Sequence, residues 1–171
     1  MPMVLQMTRI LDARPAPVAV PGLSLRTFAG AEDVELWLDL RRRAFARERF
    51  GVRDWNAADF AREFLEKPWW RPERMWFAVP ERGLLDHSPS VVGTVTLASR
   101  TGSAEAKPVV HWLAVLATWR RRNVGRLLMN AVEAACWEAG DRQVWLETHA
   151  AWTAAVKFYE SLGYQAVAPG E

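Results

Sequence analysis

The sequence has very little cysteine, little histidine and no long apolar run. Cys136 is the only cysteine in 171 residues, so no intrachain disulfide can form. The histidines, His87, His111 and His149, are scattered without the spacing of metal ligands, and no metal site is predicted. The longest apolar stretch, 109–119, is too short to cross a bilayer and contains a histidine. These absences exclude a disulfide scaffold, a zinc module and a membrane span.

An excess of one charge is also missing. The 22 basic and 20 acidic residues leave a formal net charge of +2, which is too balanced to predict nucleic-acid binding. Half of the residues are hydrophobic and a quarter are charged, as expected for a folded domain. No basic segment followed by an apolar core opens the chain, so no secretory signal is predicted and a cytoplasmic location is expected.

Hydrophobic periodicity predicts one α/β domain over residues 22–171. The segment before it, 1–21, is predicted to be peripheral, either a disordered lead or a docking strand. Its stretch ARPAPVAVPG contains three prolines and cannot hold a regular element. The predicted strands cover 23–28, 75–79, 91–99, 109–116, 143–148 and 164–168; the predicted helices cover 31–49, 56–67, 124–139 and 152–162, with loops at 81–90 and 101–108.

The order of these elements predicts a mixed sheet with helices on both faces. The buried strand 109–116, the helix that follows it and the strand 143–148 imply a parallel crossover. The earlier strands are joined by short loops and can form an antiparallel meander.

An arginine run lies between that buried strand and the next helix, in the sequence WRRRNVGRLL (119–128). The first turn of a helix has backbone N–H groups without internal partners, and guanidinium groups pair well with phosphate oxygens. The run therefore favours a site for a polyanion, most plausibly a diphosphate. Neither GxxxxGK[ST] nor GxGxxG is present. A solvated basic turn is the alternative for the arginines taken alone.

Two stretches together resemble the GNAT superfamily of N-acetyltransferases. LAVLATWRRRNVGRLLMNAV looks like the family's acetyl-coenzyme A binding motif, in which a strand ending in Leu-Ala-Val precedes Arg/Gln-x-x-Gly-x-Gly/Ala at a helix start. AAVKFYESLGY (154–164) is similar to the second signature, Ala-Ile-x-x-Tyr-x-x-x-Gly-Phe. The likeness covers roughly 23–168 and implies the GNAT fold, with a mixed central sheet.

The resemblance implies transfer of an acetyl group from acetyl-coenzyme A to a primary amine, by direct attack in a ternary complex. The acceptor is left open among a small amine, a peptide and a protein N-terminus, and the segment 41–70 is expected to shape its pocket. A non-catalytic acyl-coenzyme A binding sensor or interaction module with the same fold is the alternative. The family's contacts fall here on Leu113, Ala114, Val115, Arg120, Arg121, Arg122, Asn123, Val124, Gly125, Arg126, Trp152 and Ala155.

Two residues depart from the family's pattern. Asn123 stands where the first glycine is usual, and asparagine tolerates the left-handed backbone region better than other non-glycine residues. Trp152 stands where the second signature often has asparagine. Its indole can pack along the pantetheine arm of the cofactor, and packing in the core is an equal alternative.

The resemblance places two candidate catalytic residues. Tyr159 corresponds to the tyrosine near the sulfur, which it would hydrogen-bond as the thiolate leaves. His111 is the candidate base, and strict strand alternation would place it on one face with Val109, Leu113 and Val115. A core histidine and a core tyrosine are the structural alternatives. Glu147 and His149 are weaker candidates, and a water chain can replace a protein base.

The chain ends soon after residue 168, whereas family members commonly have one more strand paired between the last two. Residues 3–11, MVLQMTRIL, are the candidate within the chain for that slot. A second copy of the chain, which would form a homodimer, is the candidate outside it. We favour the N-terminal segment, packed on the sheet or on a partner.

Overall fold

The computed structural model describes residues 3–47, 53–82, 87, 89–102 and 105–168. Parts of the predicted helix 31–49 and of the two predicted loops lie outside these residues. The strands are β1 (Val4–Ile10), β2 (Leu23–Thr27), β3 (Met75–Pro80), β4 (Gly93–Gly102), β5 (Glu105–Val115), β6 (Gln143–His149) and β7 (Gln165–Ala166). The α-helices are α1 (Ala31–Ala44), α2 (Ala57–Phe60), α3 (Val124–Glu138) and α4 (Thr153–Ser161); α2 continues as a π-helical turn, Ala61–Leu65, and 3-10 turns cover Pro72–Arg74 and Ala117–Trp119.

The seven strands form one mixed sheet in the order β2-β3-β4-β5-β6-β1-β7. The pair β5 and β6 is parallel, and the other neighbouring pairs are antiparallel. The predicted meander and the predicted crossover through α3 are therefore both confirmed. None of the described helices combines the length and the apolarity that a membrane span requires.

Helices cover both faces of the sheet, as predicted. Arg26 on β2 lies over the Phe77 ring and reaches Asp33 of α1 at 2.7 Å. The next residue of β3, Ala78, pairs with Gly93, and a side chain at Gly93 would meet Leu128 and Val124 of α3 at 2.9–3.0 Å. Because successive strand residues face opposite ways, α1 and α3 lie on opposite faces.

Three predicted boundaries are wrong. The first helix ends at Ala44 rather than 49, and the Ala44 carbonyl accepts a hydrogen bond from Arg120 Nη2 at 2.8 Å. The second is a short α-helix followed by the π-helical turn. Most of the predicted loop 101–108 is strand, because β4 and β5 pair as far as Gly102 and Glu105. Cross-strand pairing overrides the weak strand propensity of these polar residues.

The N-terminal strand β1 lies inside the sheet, between β6 and β7. All seven of its residues pair with β6, and Met7 and Thr8 also pair with β7. The strand Val4–Ile10 therefore occupies the slot between the last two strands for which residues 3–11 were the candidate within the chain, and the argument for a second copy in this slot no longer applies. The proline-containing segment that follows crosses α3, where Asn130 binds the Ala16 carbonyl and the Val18 N–H.

A buried carboxylate ties β1 to the rest of the domain. Arg9 of β1 contacts Glu133 of α3 at 2.7 Å, and the Tyr164 hydroxyl donates to the same carboxylate at 3.0 Å. Burial raises the pKa of Glu133, and the charge of Arg9 opposes that rise. The ionised form of Glu133 therefore depends on Arg9.

Replacing Arg9 with alanine should destabilise the fold, because Glu133 would stay buried without its cation. Removing one member of a fully buried pair costs roughly 3–5 kcal/mol. The Arg9 side chain is 32% exposed, so we expect about 1–3 kcal/mol from urea unfolding. Arg14→Ala is the matched control, since its contact with Glu138 is exposed and should contribute under about 1 kcal/mol.

The same variant should show a pH dependence. A carboxyl group whose folded pKa lies above its unfolded pKa loses folding stability as pH rises through that interval. Without Arg9 the folded pKa of Glu133 rises further. The stability difference between wild type and Arg9→Ala should therefore be smaller near pH 5 than near pH 8. A difference that is equal at both pH values would contradict this role of Arg9.

Candidate active site

A cleft of about 1130 Å³ opens where β5 and β6 separate. The two strands pair only at Val109 with Trp145 and Val110 with Leu146. Beyond that point β5 remains paired with β4 as far as Val115, and β6 remains paired with β1 as far as His149. The edge of β5 over 111–115 therefore faces the cleft with backbone groups that β6 does not use.

The cleft runs to the turn before α3, which has the backbone geometry of an anion site. Arg121 and Asn123 both have positive φ, near 60°, and α3 begins at the next residue, Val124. Asn123 thus adopts the left-handed region, which asparagine tolerates better than other non-glycine residues. The first N–H groups of α3 have no helical partner, and the helix dipole adds partial positive charge there. Backbone and side chains together favour a bound anion.

The arginines of this turn have different surroundings. Arg121 and Arg126 are exposed and line the cleft. Arg120 also lines it, but its guanidinium bonds the carbonyls of Ala44 and Val115. Arg122 does not line the cleft, and its guanidinium lies 5.0 Å from the centre of the Trp119 ring. Two of the four arginine side chains therefore remain available to a ligand in the cleft.

Gly125 lets α3 and α4 approach each other closely. A Cβ atom at this position would lie 3.0 Å from Phe158 Cζ, closer than side chains normally pack. Gly125 and Phe158 both line the cleft. The glycine thus keeps the anion-binding end of the cleft open beside α4.

A β-bulge interrupts β5 at Trp112. Thr94 pairs with Ala114 but Thr96 pairs with His111, so Trp112 and Leu113 together oppose one residue of β4. Trp112 has φ of 52°. The bulge reverses the alternation, so the prediction that His111 shares a face with Leu113 and Val115 is wrong. The imidazole instead turns to the side of α1 and α2, where it contacts the Phe64 ring.

Tyr159 of α4 lines the cleft from the opposite wall. It is almost fully buried, and its hydroxyl makes no hydrogen bond to any described residue. Burial raises the pKa of Tyr159 above its usual value, so the phenol is protonated at neutral pH. The side chain can therefore donate a hydrogen bond to an atom placed in the cleft.

The three candidate bases differ in what they contact. Glu147 forms a two-oxygen ion pair with Arg100, which lowers the pKa of the carboxyl group. His149 packs edge-on against Trp152, and its Nδ1 is buried without a hydrogen-bond partner among the described residues. His111 bonds Glu63 through Nε2 at 2.5 Å and also lines the cleft. Sequence reasoning did not identify Glu63, whose contact with β5 depends on the π-helical turn.

Trp152 and Ala155 both lie in the cleft wall. The Trp152 ring stacks on that of Phe45, with 6.1 Å between the centroids, and its Nε1 is buried with no hydrogen bond to any residue that the structure describes. The predicted site residues that line the cleft are His111, Leu113, Ala114, Val115, Arg120, Arg121, Asn123, Val124, Gly125, Arg126, Trp152, Ala155 and Tyr159.

In the part of the chain that the structure describes, no group of three or more acidic, histidine or cysteine residues could hold a metal ion.

Comparisons with known proteins agree on one family. A mycothiol acetyltransferase of Thermobispora bispora is 33% identical over 153 residues, which is 88% of this chain and 49% of that protein. The chain spans about half the length of the curated relatives it matches. A crystal structure of a GCN5-related N-acetyltransferase from Sphaerobacter thermophilus aligns with a TM-score of 0.74 at 22% identity, over 98% of this chain and 50% of that chain.

The fold is also that of an aminoglycoside N-acetyltransferase solved in complex with CoA. That structure aligns with a TM-score of 0.62 at 18% identity, over 91% of this chain and 95% of that chain. The sequence profile of the acetyltransferase (GNAT) family matches residues 35–164, which contain α3, β5, β6 and the cleft between them. The chain therefore belongs to the acetyltransferase (GNAT) family.

Proposed function

We propose that this chain transfers an acetyl group from acetyl-coenzyme A to a primary amine by direct attack in a ternary complex. The observation that carries the proposal is the cleft between β5 and β6, which joins an unpaired strand edge to the basic turn at α3. An extended ligand with amide groups and a diphosphate matches that combination. The amides pair with the strand edge as an added strand would, and the diphosphate accepts from the N–H groups of the turn.

The chemistry at the sulfur needs a stabilised leaving group and a free amine. Tyr159 supplies a protonated phenol that hydrogen-bonds the sulfur as the carbon–sulfur bond breaks. Because burial raises the pKa of Tyr159, full proton loss from the phenol is uphill, and hydrogen bonding is the better description of its role. His111 lies on the other side of the cleft, where it accepts the proton of the attacking amine.

A small-molecule amine is the acceptor class that we place first. The curated relatives at 32–33% identity are named for mycothiol, a small molecule. Phe45, Trp112 and Trp152 contribute aromatic surface around the end of the cleft that holds His111. Aromatic walls of this kind suit a compact acceptor that packs on them.

Incubation of the protein with acetyl-coenzyme A and a panel of amines tests the activity. Release of free coenzyme A thiol, together with mass spectrometry of the acceptors, should show acetylation of at least one small amine. The alternative, a non-catalytic acyl-coenzyme A binding module, predicts binding by calorimetry without turnover of small amines, peptides or protein N-termini.

Gly125→Asp should weaken coenzyme A binding by about a hundredfold, equivalent to about 2.7 kcal/mol. The variant adds bulk against Phe158 and a negative charge beside the diphosphate. Gly125→Ala adds the bulk alone and should lose less, while Arg121→Ala should lose about fivefold or less because its charge is exposed. Isothermal titration calorimetry measures all three, and unchanged affinity in Gly125→Asp would refute the site.

Tyr159→Phe should lower kcat by about 10²-fold, within the range for loss of a positioned proton donor. It should leave the Kd for acetyl-coenzyme A nearly unchanged, since the ring remains. Tyr164→Phe is the matched control: its hydroxyl bonds Glu133, so it should lose stability and keep kcat. If Tyr159→Phe turned over acetyl-coenzyme A at the wild-type rate, Tyr159 would be a core residue only.

A further inference from the structure

One carboxylate oxygen of Glu63 contacts two other side chains beside the cleft. Glu63 Oε1 lies 2.5 Å from His111 Nε2 and 3.2 Å from Trp112 Nε1. Indole Nε1 carries a hydrogen and can only donate, so Glu63 accepts from Trp112. The same oxygen faces the imidazole of His111. Glu63 thus hydrogen-bonds two consecutive residues of β5 through a single oxygen atom.

This arrangement requires two irregular backbone segments. In a regular strand His111 and Trp112 would point to opposite faces of the sheet. The bulge at Trp112 turns both side chains to the same side. The π-helical turn Ala61–Leu65 then presents Glu63 toward them while Phe64 is buried in the core. Single π-helical turns often occur at functional sites.

Glu63 lies behind His111 as seen from the cleft. His111 and Trp112 line the cleft, whereas Glu63 does not. The hydrogen bond from His111 is the largest factor that lowers the pKa of Glu63, and it outweighs the effect of burial. Glu63 is therefore ionised at neutral pH and, as a carboxylate, can only accept hydrogen bonds.

An ionised Glu63 determines which ring nitrogen of neutral His111 carries the hydrogen. Nε2 donates to Glu63, so Nδ1 has the free lone pair. Nδ1 has no hydrogen-bond partner among the described residues and is not a buried atom. The nitrogen that can accept a proton thus has no partner among the described residues and belongs to a side chain of the cleft wall that is 27% exposed.

We propose that Glu63 is a positioning residue that fixes His111 in the tautomer with hydrogen on Nε2, leaving Nδ1 to take the proton from the acceptor amine. This rests on the proposed acetyl transfer. As the amine nitrogen bonds to the thioester carbon, its N–H bond breaks and Nδ1–H forms. The carbon–sulfur bond then releases the thiolate of coenzyme A. The resulting imidazolium keeps its Nε2–H bond to the Glu63 carboxylate.

Other groups surround this pair and act on it electrostatically. Lys67, which follows the π-helical turn, lowers the pKa of Glu63. The charge of Glu63 acts in turn on Arg41 of α1, where it opposes the lowering of the pKa by burial. Arg100 is the main cause of the lowered pKa of Glu147 of β6, and His111 contributes to that lowering. None of these groups hydrogen-bonds the imidazole. Among the residues that the structure describes, tautomer control is therefore assigned to Glu63.

The tautomer is measurable without any activity. A long-range ¹H–¹⁵N NMR spectrum at neutral pH, with His111 assigned by its loss in His111→Gln, should show hydrogen on Nε2 in the wild type. In Glu63→Gln the amide can either accept or donate, so the Nδ1–H tautomer should appear. Glu66→Gln, an exposed glutamate on the same segment, is the control and should match wild type. Unchanged tautomer populations in Glu63→Gln would overturn the proposal.

Kinetic measurements provide a second test of the role of Glu63. Glu63→Gln should lower kcat about tenfold or more, a part of the roughly 10²–10⁴-fold that a positioned base contributes. The KM for acetyl-coenzyme A should stay the same, because Glu63 does not line the cleft. A changed tautomer with unchanged kcat would overturn the proposal. If wild type showed no transfer to any amine, the proposed function would fail, and the spectrum would still report whether Glu63 sets the tautomer.

Discussion

The cleft exists because β5 and β6 stay hydrogen-bonded for only two residue pairs. Separating two strands inside a sheet normally leaves backbone groups unpaired on both sides of the gap. Here each strand keeps a full partner on its other side: β5 stays on β4, and β6 stays on β1. Only the facing edges are exposed, and those edges form the walls of the site. The proposed contacts of a cofactor with the edge of β5 follow from this separation.

The first strand of the chain therefore contributes to the site without reaching its chemistry. Residues 4–6 of β1 pair with 147–149 of β6, which is the part of β6 that has left β5. The Arg9–Glu133 contact then fixes β1 to α3, the helix whose first turn closes the other end of the cleft. The N-terminal strand thus contacts both the separated part of β6 and the helix that begins at the cleft.

Sequence periodicity predicted most of the fold, and the resemblance to the GNAT family directed attention to the turn before α3 and to β5. The parallel crossover follows from the order of the elements, and the use of residues 3–11 as a strand follows from comparing the strand count with that of the family. The bulge at Trp112 could not be predicted, because it depends on how β4 pairs beside it. The surroundings of Arg41 could not be predicted either: it is buried, and its guanidinium lies 4.2 and 5.0 Å from the ring centres of Trp55 and Trp112. Burial lowers the pKa of Arg41, and the aromatic rings together with the carboxylates of Asp54, Asp59 and Glu63 offset part of that cost.

The unpredicted features converge on one place, and the convergence has a physical reason. A positive φ at a bulky residue such as Trp112 costs about 1–3 kcal/mol. Packing of its ring against Trp37 and Trp55, at 5.8 and 5.0 Å between centroids, together with the bond to Glu63, offsets that strain. Regular elements would send His111 and Trp112 to opposite faces and keep Glu63 in register with an ordinary helix. The carboxylate of Glu63 therefore reaches both His111 and Trp112 because the bulge in β5 and the π-helical turn lie opposite each other.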